Sequence, residues 1–282
     1  MKSNRLISFF TIFIVYIIST VVGFWLYKSL NINIWLKVLL SDIAATIVVF
    51  IFSLIFKNAS VYDPYWSVAP IVILLLIFFE FGFSVSGLLS LIAVILWGIR
   101  LTLNWAYTFK NLNHEDWRYV MLRNKCSKFY PIINFIGIHM VPTLVVYLAM
   151  MPLILVIKEK PSFNFFTILF FILCILSMIL QMFSDMEMHK YRKNKNGVFN
   201  RNGLWKYSRH PNYLAEILMW WNAGLLAVFT FSGKVYLLLG AITNTMLFLF
   251  VSIPLAENHQ KERKPGFDFY KKETRMLLPF KK

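Results

Sequence analysis

Gln181, Asp185, His189 and Arg192 recur at i, i+4, i+8 and i+11 near the end of an otherwise apolar run. On a helix that spacing sets an amide, a carboxylate, an imidazole and a guanidinium along one face. Charged groups near membrane depth are costly, face a bundle interior and come with partners. The face therefore predicts either a ligand or an interfacial pairing network of Asp185, His189 and Arg192. A second polar group follows in Gly203-Leu204-Trp205-Lys206-Tyr207-Ser208-Arg209-His210-Pro211-Asn212-Tyr213. Pro211 suits the first position of a helix, where its missing N–H costs nothing, so Arg209 and His210 fall at that helix's N-terminus. Free backbone N–H groups, the positive end of the helix dipole and a guanidinium together favour an anion such as phosphate. Asn212, Glu216 and Trp220 repeat every four residues and carry the polar face inward, where amide and carboxylate suit an amide or a ribose hydroxyl. Trp205, Tyr207, Tyr213, Trp220 and Trp221 also fit an interfacial aromatic belt, which leaves Asn212 and Glu216 unexplained.

Three further groups have chemistry in reach. Trp97, Arg100, Asn104 and Tyr107 share a helical face, with Arg100 inside an apolar run. A buried arginine wants a carboxylate or phosphate, and Asp42 and Glu80 are the acids that could be its structural partner; snorkelling is weakened by its distance from the segment end. Asp63, in Tyr62-Asp63-Pro64-Tyr65-Trp66-Ser67, stands just before a span, as a cap for the following helix or as a catalytic acid. The tail from Pro254 mixes Glu257, His259, Arg263, Phe267, Tyr270, Leu277 and Pro279, the pattern of a short amphipathic helix on a membrane face.

The elements that must position these groups are membrane helices. The 282 residues are 59% hydrophobic and 15% charged, too apolar for a soluble domain and too long for one anchor. A bilayer core needs roughly 20 apolar residues per helix, and segments 7–28, 34–56, 67–84, 87–108, 132–157, 164–188, 211–232 and 235–254 qualify. Strand alternation is absent. The expectation is an all-α, multi-pass transmembrane bundle of about 7–9 helices with a cytosolic C-terminal amphipathic segment. The first segment lacks a small-residue cleavage site and reads as a retained anchor.

The net charge of +16 raises nucleic acid as a partner, but the cations cluster by loop. Lys110, Arg118, Arg123, Lys125 and Lys128 share one loop; Lys190, Arg192, Lys193, Lys195, Arg201, Lys206 and Arg209 share another; Lys261, Arg263, Lys264, Lys271, Lys272, Arg275, Lys281 and Lys282 lie in the tail. With eight helices all three clusters fall on the side of the N-terminus, opposite Lys28, Lys158, Lys160 and Lys234. By the positive-inside rule both termini are then cytoplasmic, and the charge sets orientation and holds anionic lipid rather than nucleic acid. Cys126 and Cys174 suggest neither a disulfide nor a metal site. No repeat, P-loop or GxGxxG pattern is present.

The stretch from Gly203 through Tyr213 to Leu214-Ala215-Glu216 resembles the signature of the steroid 5-alpha-reductase C-terminal family, in its bacterial DUF1295 branch. The resemblance takes in Ser184-Asp185, Asp63 to Pro70, Leu96-Trp97-Gly98-Ile99-Arg100-Leu101, Glu115-Asp116-Trp117-Arg118-Tyr119, and Ile253-Pro254 through Tyr270 and Pro279. It is continuous from about residue 60, with residues 1–57 as an N-terminal transmembrane hairpin and 58–282 as a reductase-like domain whose cofactor site lies in 181–282. The resemblance implies an integral membrane oxidoreductase that uses NADPH to reduce a carbon–carbon double bond of a lipid or steroid-like substrate. It puts the cofactor contacts on Gln181, Asp185, Arg192, Arg209, Asn212, Glu216, Glu257, Arg263 and Tyr270, beside Trp205, Tyr207, His210 and Tyr213 from the motif. Asp63 stands at the position of the family's catalytic acid, with Tyr65 and Arg100 as companions, while the family's catalytic tyrosine position holds Trp97, a departure from steroid-like ketone chemistry. Ala215 replaces a glycine and narrows the expected groove. The cofactor would carry the hydride and the protein would orient it and exclude water.

The rival expectation is an S-adenosylmethionine-dependent methyltransferase of the isoprenylcysteine carboxyl type, which is similar over the Arg-His-Pro-Asn-Tyr motif and the Glu-containing tail. NADPH carries several phosphate charges and the sulfonium cofactor none, so Arg192, Arg201, Arg209 and Arg263 favour NADPH. A transporter or scaffold without chemistry is a third reading. The expected partners are the lipid bilayer and a hydrophobic small-molecule substrate, in a bacterial inner membrane rather than the endoplasmic reticulum.

Overall fold

The computed structural model describes residues 4–194, 198–231 and 233–278; Lys195, Pro279, Lys281 and Lys282, read above as part of the basic loop and tail, lie outside them. Among the described residues twelve α-helices run in chain order: α1 (Arg5–Ser29), α2 (Ile34–Phe56), α3 (Tyr65–Phe81), α4 (Val85–Thr108), α5 (Trp117–Cys126), α6 (Tyr130–Ile133), α7 (Val141–Glu159), α8 (Phe165–Asn194), α9 (Pro211–Thr230), α10 (Leu239–Leu247), α11 (Ile253–Arg263) and α12 (Phe267–Glu273). Short π-helices at Asn134–Met140 and Phe248–Ser252 join α6 to α7 and α10 to α11. Eight helical stretches among the described residues are long and apolar enough to cross a membrane, the multi-pass helical bundle that the composition predicts. No strand occurs among the described residues, apart from one isolated bridge between Ser208 and Arg275.

Asparagines start three of the spans. Asn4, Asn33 and Asn164 accept backbone N–H groups of Ile7, Leu36 and Thr167, satisfying donors that a helix start leaves orphaned. Residues with positive φ stop two spans, Lys57 after α2 and Gly82 after α3. Asp63 does not cap α3: the N-cap is Pro64, which makes no side-chain bond.

The chain divides into two compact units, Met1–Gly82 with Val94–Met151, and Phe83–Ala93 with Pro152–Lys282. In unit 1, α1 buries Ser8, Ile12, Val15, Ser19, Gly23 and Tyr27, a strip of i+3 and i+4 steps. Small residues let α1 approach α2 closely, as membrane interfaces favour: a Cβ on Gly23 would stand 3.2 Å from the Ser41 carbonyl oxygen. The hairpin of α1 and α2 belongs to the same unit as α3 and α5. On α1, Phe10, Phe13, Ile17, Val21 and Phe24 stay exposed, a face suited to lipid rather than water. In unit 2, α8 buries Thr167, Phe170, Cys174, Ser177, Met178, Gln181 and Ser184, and α9 buries Ala215, Glu216, Met219, Trp220, Ala223 and Leu226. These two helices are paired along their lengths.

Candidate functional site

In unit 2 the two polar faces read from spacing meet. Gln181 Nε2 donates to Glu216 Oε2 at 2.8 Å, and Trp220 Nε1 donates to Glu216 Oε1 at 2.9 Å. All three side chains are buried. A buried carboxylate is tolerable when both oxygens are bonded, and here both are. Gln181 Oε1 is buried and accepts no hydrogen bond from any of the described residues. An amide carbonyl in that state is an acceptor waiting for a donor. One turn outward, Asn212 Nδ2 reaches Asp185 Oδ1 at 3.4 Å, and Trp205 Nε1 donates to the Ser184 carbonyl at 2.9 Å. Trp205 is buried while Tyr207 is exposed.

The glycine turn is tied to a residue that the helical stripe passed over. Gly203 has φ +55°, and a Cβ there would lie 2.0 Å from Glu187 Oε1. Glu187 Oε2 accepts the Leu204 N–H at 2.9 Å. Glu187 is off the Gln181–Arg192 face, so its signal was only an acid near a glycine turn.

Arg209 and His210 are held by the chain's own tail. Arg209 Nη2 and Nε lie 2.7 and 2.8 Å from Glu257 Oε1, and Nη1 donates to the carbonyls of Lys271 and Thr274. His210 Nε2 is 3.2 Å from the same Glu257 oxygen and Lys271 Nζ 3.1 Å from the other. A carboxylate only accepts, so His210 Nε2 carries the proton. Burial drives the His210 pKa below its ordinary value against the pull of Glu257, keeping the imidazole neutral. The Arg209 N–H donates to the Arg275 carbonyl at 2.8 Å, which adds backbone to the clasp. The expected phosphate ligand Arg209 is thereby committed to Glu257 and to tail carbonyls. Tyr213 stacks on His210, with ring planes 4° apart.

Elsewhere in unit 2, Tyr270 is buried and stacks on Phe199 at 4.6 Å; burial raises its phenol to about 12. Arg201 pairs with Glu273 at 2.6 Å, and the exposed Arg263 contacts His259 at 3.2 Å. Lys264 lies over the rings of Phe199 and Tyr191, at 5.2 and 5.7 Å. Its pKa is lowered by burial and by the positive charge of Arg192. Among the described residues neither Arg192 nor Lys264 makes an ion pair.

In unit 1, Asp63 receives the Tyr119 hydroxyl at 2.5 Å, with Arg118 Nη2 4.0 Å away. Asp116, the N-cap of α5, accepts the Arg118 backbone N–H and its Nε at 2.9 and 2.8 Å. Burial would raise the Asp116 pKa, but Arg118 holds it below the usual range. Glu115 accepts the Ala59 N–H at 2.8 Å and pairs with Arg123 at 2.7 Å, docking the loop before α5 onto residues 58–60. Tyr65 does not join Asp63; its hydroxyl donates to Asp42 at 3.3 Å. Glu80 takes Lys28 at 3.4 Å. Trp97 is fully buried edge-on to Trp66 at 5.8 Å. Tyr119 was visible in the sequence only as the last residue of Glu115–Tyr119. Its place on Asp63 follows from loop docking that no helical periodicity encodes.

The family described as "Protein of unknown function (DUF1295)" matches residues 49–274. The chain belongs to DUF1295. This DUF1295 member is 28% identical over 193 residues to "Uncharacterized protein C594.04c" of Schizosaccharomyces pombe (strain 972 / ATCC 24843), covering 58% of this chain and 56% of that one. It thus spans little more than half the length of that relative. No solved structure matches the DUF1295 chain significantly.

Proposed function

We propose that the chain is an integral membrane oxidoreductase that uses NADPH to reduce a carbon–carbon double bond of a lipid or steroid-like substrate. The observation that carries the cofactor half is the pair Arg192 and Lys264: burial and the neighbouring charge of Arg192 lower the Lys264 pKa, and neither cation makes an ion pair among the described residues. Such a pair gains most from a phosphate. Gln181 Oε1 supports the same reading, because a buried acceptor lacking a donor suits a carboxamide or exocyclic amine. Gln181 and Arg192 are eleven residues apart on α8, roughly 16 Å of helix rise, a span on the order of an extended dinucleotide. Gln181, Asn212, Arg192 and Lys264 would hold the cofactor, with Arg263 and Tyr270 beside them on the tail. When bound, the cofactor supplies the hydride.

The acid half rests on Asp63. Its carboxyl is a proton source or electrophile for the acceptor, and Tyr119, bonded to it at 2.5 Å, is the positioning phenol that the sequence lacked at Trp97. Arg118 and Asp116 fix the loop that presents Tyr119. Both termini on the cytoplasmic side of a bacterial inner membrane is the orientation that the basic loops support.

The alternative is an S-adenosylmethionine-dependent methyltransferase. It is favoured by the engagement of Arg201 with Glu273 and of Arg209 with Glu257, which removes two of the four cations counted for NADPH. Isothermal titration of the purified protein with NADPH, NADH and S-adenosylmethionine separates the readings. The reductase reading expects NADPH to bind at least ten-fold tighter than NADH, with Arg192→Ala and Lys264→Ala erasing that preference. Binding of S-adenosylmethionine alone would overturn it.

A further inference from the structure

A narrow cavity of about 60 Å³ lies within unit 1 among α1, α2 and α3. Its walls run from Tyr16 to Tyr27 on α1, from Val38 to Ala45 on α2, and from Tyr65 to Leu76 on α3. Eleven residues of helix rise are roughly 16 Å, so the space is a single-file slot, too thin for fused rings and suited to one linear chain. Gly23, Ala45 and Ala69 line it without bulk, and Thr20 and Val72 keep it open to the outer surface of these spans.

Two polar side chains on α2 interrupt the apolar wall. Serines inside the helices of this chain usually return their hydroxyl to the carbonyl four residues back, as Ser29, Ser90, Ser177 and Ser184 do. Ser41 does not: it is 7% exposed and its Oγ has no hydrogen-bond partner among the described residues. Its neighbour Asp42 is 5% exposed and receives the Tyr65 hydroxyl, one donor where a carboxylate has room for about four. Both residues line the slot. An unsatisfied hydroxyl and an undersupplied carboxyl in hydrocarbon are each costly.

We infer that this slot is a binding site for a linear alkyl or isoprenoid chain that carries a hydroxyl group. A hydroxyl complements both residues at once, donating to Asp42 and accepting from Ser41. A ketone would serve Ser41 alone, and a plain hydrocarbon neither. The inference stands on unit 1 and needs no cofactor, so it survives or fails separately from the NADPH reading.

The test uses the purified full chain in phosphatidylcholine nanodiscs and 1-hexadecanol bearing a mid-chain diazirine, with labelled peptides mapped by mass spectrometry. Expected are labels on the slot segments of α1 and α3, displaced at least ten-fold more effectively by unlabelled 1-hexadecanol than by hexadecane. Ser41→Ala removes a hydroxyl that bonds none of the described residues, so it leaves the fold intact and cuts that selectivity to about two-fold or less. Asp42→Asn, which keeps a weaker neutral acceptor, reduces the selectivity less, and Ala69→Phe, which fills the slot, abolishes the labels. Equal displacement by alcohol and hydrocarbon in the wild type identifies ordinary annular lipid and overturns the inference. So does selectivity that persists in Ser41→Ala, or labelling that is spread evenly over the helices.

Discussion

Arg209 and Glu257 are joined across 48 positions of sequence, guanidinium to carboxylate at 2.7 Å, with both side chains nearly excluded from solvent. This pair clasps the segment before α9 to α11 and α12. The same carboxylate also takes His210 and Lys271, so a single acid neutralises the basic end of the signature motif. Removing one partner of a buried pair costs about 3–5 kcal/mol, because the other charge is stranded. Glu257→Gln is therefore expected to lower the thermal unfolding midpoint in detergent strongly. Arg209→Met with Glu257→Met should recover much of the loss. If Glu257→Gln melts with the wild type, the clasp does not hold the tail.

His210 makes that clasp sensitive to pH. Its pKa in the folded chain lies below the ordinary 6.5, so between that folded value and 6.5 the unfolded chain binds more protons. Stability must then fall as the pH drops below 6.5 toward the folded value, and be fully present above 6.5. Melting curves from pH 8 to pH 5 check this against His210→Gln, a neutral side chain that can still donate to Glu257. The wild type should lose stability relative to the variant over that interval. A constant difference would show that His210 does not titrate out of step with folding.

Much of this is legible in the sequence, and the reason is physical. Bilayer thickness fixes span length, so the eight segments are close to the eight helical stretches found. Helical period then puts Gln181 on the face of α8 that meets Glu216 and Trp220 on α9. What the sequence hid is what depends on loops returning to helices. Tyr119 reaches Asp63 because the loop before α5 docks through Glu115 onto Ala59, and Arg209 is spent on Glu257 because the tail folds back. Neither contact has a period. Ser41 was equally silent, since a serine in a membrane helix ordinarily bonds its own backbone.

The Asp63 and Tyr119 pair predicts a specific kinetic pattern. General acid groups contribute about 10²–10⁴-fold, so under the proposed reductase function, with Asp63 as the acid, Asp63→Asn should slow single-turnover NADPH oxidation with a true substrate at least a hundred-fold. Tyr119→Phe keeps the ring that packs in unit 1 and loses only the hydroxyl on Asp63. As a positioning change it should lower the rate by about ten-fold and shift the pH profile of the remaining activity, without altering NADPH affinity. An Asp63→Asn enzyme with unchanged single-turnover rates would remove the carboxyl from the chemistry.

Gly203 should be the least replaceable glycine of the site. Two left-handed glycines allow strain to be separated from contact. Gly266 has φ +79° with nothing within 4 Å of an added Cβ, whereas Gly203 at φ +55° would drive a Cβ to 2.0 Å from Glu187 Oε1. A left-handed alanine costs about 1–2 kcal/mol wherever it sits, and that is the whole expected cost of Gly266→Ala. Gly203→Ala must in addition push away the Glu187 carboxylate, which forfeits its bond to the Leu204 N–H and loosens the turn that leads to Arg209. Its melting midpoint should fall further than that of Gly266→Ala. Gly203→Ala combined with Glu187→Ala removes the clash and should return part of the difference, since only the lost N–H bond and the backbone strain remain. Equal losses in the two single variants would mean that Glu187 yields freely and that the turn is set by backbone conformation alone.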